Sequence, residues 1–98
     1  MVDESRVERI RSEVRAATAL ADDLIARVAD QTFKEIVTLI RARVTEVETL
    51  FLDKIDSVPP RHQEWWLAGT EKQLAGELAS LRYYEEAAQA REYNIELI

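Results

Sequence analysis

The amino-acid sequence predicts an all-α protein, a small helical bundle that we expect to assemble into an oligomer. The 98 residues include only two glycines and two prolines, on which the turns of β-rich folds depend. Hydrophobic residues make up 47% of the chain, which is too many for a disordered chain. Apolar residues also recur at intervals of three and four, as on one face of a helix. A chain of this length supports one core, so residues 1–98 are predicted to form a single domain.

The first helix is predicted over residues 4–29. Its apolar face has members at alternating spacings of three and four: Val7, Ile10, Val14, Ala17, Ala21, Leu24 and Val28. This heptad pattern, with valines at one core position, is typical of two-stranded coiled coils. We call this apolar face of the first helix the N-terminal seam. It packs either against the next helix of the same chain, which is the simpler interpretation, or against a second chain.

A second helix is predicted over residues 33–57, with an apolar face of its own: Phe33, Val37, Ile40, Val44, Val47 and Phe51. At about 100° per residue, the two apolar faces differ in direction by roughly 130°. Either the chain turns near residue 30 and forms a hairpin, or one helix of about 80 Å meets different partners at its two ends. The capping-box pattern from Thr32 to Glu35 favours the hairpin.

Two consecutive prolines predict a firm break over residues 58–60, because proline cannot sit inside a helix and also restricts the residue before it. A short helix is expected over residues 61–68 and a longer one over residues 71–92. Gly69 is suited to close the first of these helices, and Thr70 is suited to cap the second.

The last helix has two distinct faces. The main apolar face consists of Leu74, Leu78, Leu81, Tyr84 and Ala88. A second face carries small residues around one tyrosine: Gly76, Ala79, Tyr83, Ala87 and Ala90. Alanine is simply a good helix former, but small side chains also let another helix approach closely. The apolar tail, residues 93–98, alternates like a strand, and we expect it to dock on the protein itself.

The sequence shows none of the common catalytic motifs. There is no cysteine, and the single histidine, His62, stands beside the prolines, where a surface position is the simpler interpretation. The two glycines lie within helical sequence and form no phosphate-binding loop. Asp53 and Asp56 are the nearest approach to a paired-carboxylate metal site, and a solvated helix end explains them better. We therefore predict no enzymatic activity, no cofactor and no bound metal.

The net charge of −6 is not accompanied by a separate basic segment. The densest basic stretch, Arg6 to Arg15, is interleaved with acidic residues, which favours a solvated, ion-paired helix face over a nucleic-acid patch. No apolar run reaches the roughly 20 residues of a membrane span, and the charged N-terminal residues do not resemble a signal peptide. We expect a cytoplasmic protein that binds neither nucleic acid nor membrane directly.

Two aromatic pairs are the most informative side chains. Trp65 and Trp66 point about 100° apart on a helix, so one can anchor the core while the other stays exposed for a partner. The alternative is that both are buried between two neighbouring elements. Aromatic side chains supply much of the binding energy at protein interfaces. The predicted interface joins the aromatic pairs to the N-terminal seam: Val7, Ile10, Val14, Leu24, Val28, Trp65, Trp66, Tyr83 and Tyr84.

The predicted function is that of a non-enzymatic helical protein–protein interaction module. It would self-associate into a homo-oligomer, act as an adaptor or assembly factor, or do both. The alternative is a small acidic inhibitor protein that occupies a basic nucleic-acid-binding site on a target enzyme. The net charge suggests this alternative, which requires acidic side chains to be clustered on one surface.

Overall fold

The computed structural model of the chain describes the backbone of residues 3–97 and the side chains of residues 3–90. It confirms the all-α fold class, and that backbone contains no strand. Three α-helices pack around one apolar core, and they are α1 (Glu4–Arg27), α2 (Gln31–Glu46) and α3 (Pro60–Leu97). A π-helical turn (Val47–Phe51) and a 3₁₀ segment (Leu52–Ser57) follow α2 directly.

Helix α1 contributes its predicted apolar face to the core. The helix begins where the Asp3 carboxylate accepts a hydrogen bond from the backbone N–H of Arg6 at 3.1 Å, which satisfies a free N–H group of the first turn. Val7 and Val28, at the two ends of the face, are partly buried. The residues between them are buried: Ile10, Val14, Ala17, Ala21 and Leu24.

The chain turns between α1 and α2, so the predicted hairpin is confirmed and the single long helix is wrong. Val28 leaves the helical conformation, with φ −100° and ψ 130°. Asp30 then starts α2, because its carboxylate accepts a hydrogen bond from the backbone N–H of Phe33 at 2.9 Å. The capping residue is therefore Asp30 rather than Thr32, and α2 begins at Gln31 instead of residue 33.

The π-helical turn shifts the buried face of the chain by one position. Up to Val47 the buried residues follow the predicted spacing, but the next ones are Leu52 and Ile55 rather than Phe51 and Lys54. A π turn has i→i+5 hydrogen bonds and so takes up one more residue than an α-helical turn. Without it, the Lys54 ammonium would face the core, where an unpaired charge is costly. The prediction that Phe51 belongs to the buried face is therefore wrong.

The predicted break at Gly69 and Thr70 is absent, because α3 runs through both positions as one helix. Leu67 and Leu74 lie one heptad apart and are both buried, and an uninterrupted helix keeps them on the same side. Thr70 is buried between them, and its hydroxyl donates to the Trp66 carbonyl at 2.8 Å instead of capping a helix. Neither glycine has a positive φ, so Gly69 does not close a helix.

The strand-like pattern of the tail does not produce a strand, because the backbone of residues 93–97 continues α3. Extending an existing helix adds one hydrogen bond per residue, whereas a strand needs a neighbour to pair with. The side chains of residues 91–98 lie outside the described residues, and so does the predicted docking of the tail.

Helix α3 runs parallel to α1, and α2 runs antiparallel to both. Near its start, α1 pairs through Arg6 with Glu64 near the start of α3. Arg11 of α1 pairs with Glu48 just after α2, whereas Asp22, later in α1, pairs with Arg41, earlier in the chain than Glu48. Helix α3 has 38 residues and is therefore about 57 Å long. The longest dimension of the protein is 58 Å, so α3 spans its whole length.

Arg6 holds the beginnings of α1 and α3 together. Its Nε and Nη2 atoms donate to Glu71 Oε1 at 2.9 and 2.5 Å, and its Nη1 atom donates to the Glu64 carboxylate at 2.6 Å. The hydrogen bonds from Arg6 lower the pKa of Glu71 below its ordinary value. The same hydrogen bonds, first from Glu71 and then from Glu64, raise the pKa of Arg6.

Two further arginines of α1 extend this pattern. Arg9 approaches Glu71 at 3.6 Å, and Arg11 pairs with Glu48 and Asp53 of the π turn and the 3₁₀ segment at 3.2 and 2.9 Å. The predicted ion-paired character of the basic stretch is thus confirmed for these arginines, and the pairs join α1 to other elements.

A buried glutamine holds the turn before α3. Gln63 Nε2 donates to the carbonyls of Val58 and Ile55 at 3.1 and 3.4 Å, where the 3₁₀ segment ends. Gln63 is buried and lies in the first turn of α3. Its amide therefore ties the proline turn on one side to the helix on the other.

Replacing this amide by a carboxylate tests the role of Gln63. Gln63→Glu places a charged acceptor against two carbonyls in a buried site, so we expect the free energy of unfolding at pH 7 to fall by about 2 kcal/mol. Urea unfolding followed by circular dichroism measures this change. Gln73→Glu, at an exposed position on the same helix, is the control and should change stability by less than about 0.5 kcal/mol. An equal loss of stability in Gln63→Glu and Gln73→Glu would show that the buried amide of Gln63 does not hold the proline turn.

The pKa of Glu71 predicts a pH dependence. Because this pKa is lowered in the folded chain, the Arg6–Glu71 pair stabilises the fold above the ordinary pKa of 4.5 and is lost as the pH falls through the lower folded value. We expect Glu71→Gln to reduce the free energy of unfolding by about 1 kcal/mol at pH 7. The difference from wild type should shrink below pH 4.5.

Urea titrations at pH 7 and at acid pH make this comparison. Glu13→Gln is the matched control, since Glu13 is exposed and forms no ion pair among the described residues. A wild-type advantage over Glu71→Gln that grows at acid pH would contradict a lowered pKa of Glu71 in the folded chain.

Candidate protein-interaction surface

The candidate surface starts at the residue that the π turn directs outward. Phe51 is 37% exposed, and Leu50 beside it is also exposed. The Phe51 ring lies against the Trp66 ring, with 6.0 Å between the ring centroids and 49° between the planes. The shift of one position that buries Leu52 therefore brings an aromatic ring to the surface next to α3.

Trp66 is the anchored member of the tryptophan pair. Its indole Nε1 donates to the Phe51 carbonyl at 2.6 Å, and its ring packs partly buried against the core. The hydrogen bond satisfies the indole N–H, which a half-buried tryptophan needs. Trp66 thus joins the start of α3 to the end of the π turn.

Trp65 is the exposed member of the pair. Its side chain is 74% exposed, because the next residue, Trp66, already occupies the side of α3 that faces the π turn. This arrangement of one anchored and one exposed tryptophan corresponds to one of the two alternatives that the sequence left open. The other alternative, in which both are buried between two elements, is wrong.

We call the apolar surface around this pair the tryptophan patch, and it comprises Phe51, Val58, Pro59, Trp65 and Trp66. Two open grooves flank the two indoles. The larger groove, of about 460 Å³, is lined by the proline turn together with Lys54 and His62. The smaller groove, of about 160 Å³, lies between Phe51 and Gln73. The patch therefore has apolar rings at its centre and polar side chains at its rim.

A second feature continues from the patch along α3. Residues at alternating spacings of four and three form the outer face of α3, and every one of them is exposed: Trp65, Gly69, Lys72, Gly76, Ala79, Tyr83, Glu86 and Ala90. Tyr83 is 66% exposed and lies edge-on to Tyr84, with 5.2 Å between the ring centroids. This face includes most of the predicted small-residue face, whereas Ala87 packs against the core.

The structure separates the predicted interface residues into two groups. The seam residues Val7, Ile10, Val14, Leu24 and Val28 pack inside the chain, so the seam is corrected from an interface between chains to part of the internal core. The reason is that α2 and α3 cover this face of α1. Tyr84 also packs inward, with its ring edge-on to Phe33 at 5.5 Å. Trp65, Trp66 and Tyr83 remain at the surface.

Sequence reasoning missed Phe51 as a surface residue. The sequence contains only an alternative to a buried Phe51, because Leu52 and Ile55 are also apolar, and packing decides which of these residues are buried. Val58 and Pro59 were also missed as parts of this surface. They belong to it because the proline turn brings the end of the 3₁₀ segment beside α3.

The acidic side chains are distributed over all the elements. Ion pairs engage carboxylates in α1, the π turn, the 3₁₀ segment and α3: Asp22, Asp23, Glu48, Asp53, Glu64 and Glu71. Within the described residues, no group of three or more metal-binding side chains occurs. No helix in that part of the chain is long and apolar enough to cross a membrane.

The fold and its surface define a three-helix protein with a tryptophan-centred apolar patch. Comparison of the chain with models of protein families, with curated proteins and with solved structures found no match.

The two tryptophans should respond differently to substitution. Trp66→Phe removes the indole N–H that binds the Phe51 carbonyl, and we expect the free energy of unfolding to fall by about 1 kcal/mol. Trp65→Ser removes a mostly exposed ring and should change this free energy by less than about 0.5 kcal/mol. Urea unfolding followed by circular dichroism compares the two variants. A larger loss for Trp65→Ser would show that Trp65 supports the fold rather than a surface function.

Proposed function

We propose that the protein is a non-enzymatic interaction module that binds protein partners through the tryptophan patch and the adjoining outer face of α3. The observation that carries this proposal is the 74% exposure of Trp65 beside a tryptophan that is held in place. Burial of a large apolar side chain contributes about 1.5 to 3 kcal/mol, so a partner that covers Trp65 would bind with a correspondingly more favourable free energy.

The anchored part of the patch supports the same proposal. Trp66 is held by its hydrogen bond to Phe51, so these rings already have a defined position before a partner arrives. A surface that is ordered in advance loses less conformational entropy on binding. Trp65 then adds a ring that can enter a pocket of the partner, as aromatic anchors do at other interfaces.

The rim of the patch also resembles that of a protein interface. Lys54 and His62 line the larger groove, and Arg61 Nε donates to His62 Nε2 at 3.2 Å. An apolar centre with a polar, solvated rim is the usual arrangement of such interfaces. The lack of cysteine and the presence of a single, exposed histidine favour binding over catalysis as the role of this surface.

Trp65→Ser tests the proposed function directly. Immobilised wild-type protein should retain partners from an extract of the source cells, and Trp65→Ser should retain them at least about tenfold less, since an anchor ring contributes about 2 kcal/mol or more. Quantitative mass spectrometry of the retained proteins measures the difference.

Leu39→Ser is the matched control for this experiment. Leu39 is an exposed leucine of α2 that lies outside the patch, so the same loss of apolar surface should leave retention unchanged. The proposal fails if wild type, Trp65→Ser and Leu39→Ser retain the same proteins in equal amounts.

A further inference from the structure

We infer that the partner of the outer face of α3 is a second copy of this chain, and that the two α3 helices pair antiparallel. This inference rests on the proposed function and names its partner. Two exposed aromatic rings lie far apart on the outer face of α3. Trp65 and Tyr83 are 74% and 66% exposed and lie 18 residues apart, which is five full turns of about 3.6 residues. Both rings therefore lie on one line along the helix.

The charges on this face are complementary to a second copy in only one direction. Lys72 and Glu86 are its charged members, and both are exposed. In an antiparallel pair, Lys72 lies level with Glu86 of the second copy, and the two-fold symmetry repeats this ion pair. In a parallel pair in register, lysine would meet lysine and glutamate would meet glutamate. Opposite charges thus favour the antiparallel pair, and like charges oppose the parallel one.

The same alignment is complementary in size. When Lys72 is level with Glu86 of the second copy, Ala79 lies on the two-fold axis. The Tyr83 ring then lies within one residue, about 1.5 Å along the helix axis, of Gly76 in the second copy. A Cβ atom at Gly76 would meet nothing within 4 Å inside the chain. Glycine within a helix costs about 1 kcal/mol relative to alanine, and no packing within the chain requires it here. A tyrosine ring from the second copy would use this space.

The alignment also accounts for the tryptophan patch. It brings position 93 of the second copy level with Trp65, and the backbone of α3 is helical through Leu97. The end of one α3 helix would therefore lie beside the tryptophan patch of the other chain. The contact along α3 from Trp65 to Ala90 is about 38 Å long.

Charge reversal in the purified full-length chain tests the pairing. Sedimentation over about 1 to 500 µM should show a monomer–dimer equilibrium for wild type, since weak dimers have micromolar dissociation constants. Lys72→Glu and Glu86→Lys each create like-charge pairs in an antiparallel dimer, so each should raise the dissociation constant at least about tenfold. An equimolar mixture of the two variants, and the double variant Lys72→Glu/Glu86→Lys, should both restore dimerisation.

Each outcome decides one part of the inference. Wild type that stays monomeric over the whole range overturns self-pairing, and the comparison of Trp65→Ser with wild type in cell extract then decides separately whether the patch binds another protein. A wild-type dimer that neither single charge reversal weakens overturns the antiparallel alignment. Both substitutions are at exposed positions, so circular dichroism should show unchanged folding of each variant.

Discussion

The cost of burying one lysine is the constraint on which the rest of the structure depends. A regular α-helix beyond Val47 would direct Lys54 into the core, and the π turn avoids this by moving Leu52 and Ile55 inward. The same shift brings Phe51 to the surface and places its carbonyl where Trp66 can bind it. With Trp66 held against the π turn, its neighbour on the helix must point away from the protein. The exposure of Trp65 is therefore a consequence of packing at the π turn, well before it in the chain.

Helix α3 gives the protein its two chemically different sides. Its inner face carries Leu67, Leu74, Leu81 and Ala88 and holds α1 and α2 against it. Its outer face has two exposed rings separated by small residues and two opposite charges, a pattern that solvent alone does not require. Because α3 has no break, the outer face is continuous over its described length. The inner face maintains the fold, and the outer face is exposed to solvent.

The electrostatic pattern serves mainly to join helices. The arginines near the start of α1 bind carboxylates of α3, the π turn and the 3₁₀ segment. The hydrogen bonds from Arg6 lower the pKa of Glu71. Exposed ion pairs contribute little individually, but Arg6 is partly buried and binds two carboxylates at once. Ion pairs with arginines engage carboxylates on several elements, and these pairs give no separate support to the acidic-inhibitor hypothesis.

The sequence by itself determined the all-α class, the proline turn and the apolar faces of α1 and α3, because these depend on periodicity and on the backbone limits of proline. It also identified the tryptophan pair, although not which member would be exposed. The tertiary structure alone decided the register after Val47, the continuity of α3 through Gly69 and the internal packing of the α1 seam. Each of these choices depends on which side chain a neighbouring helix can accept, and local propensity contains no information about that neighbour.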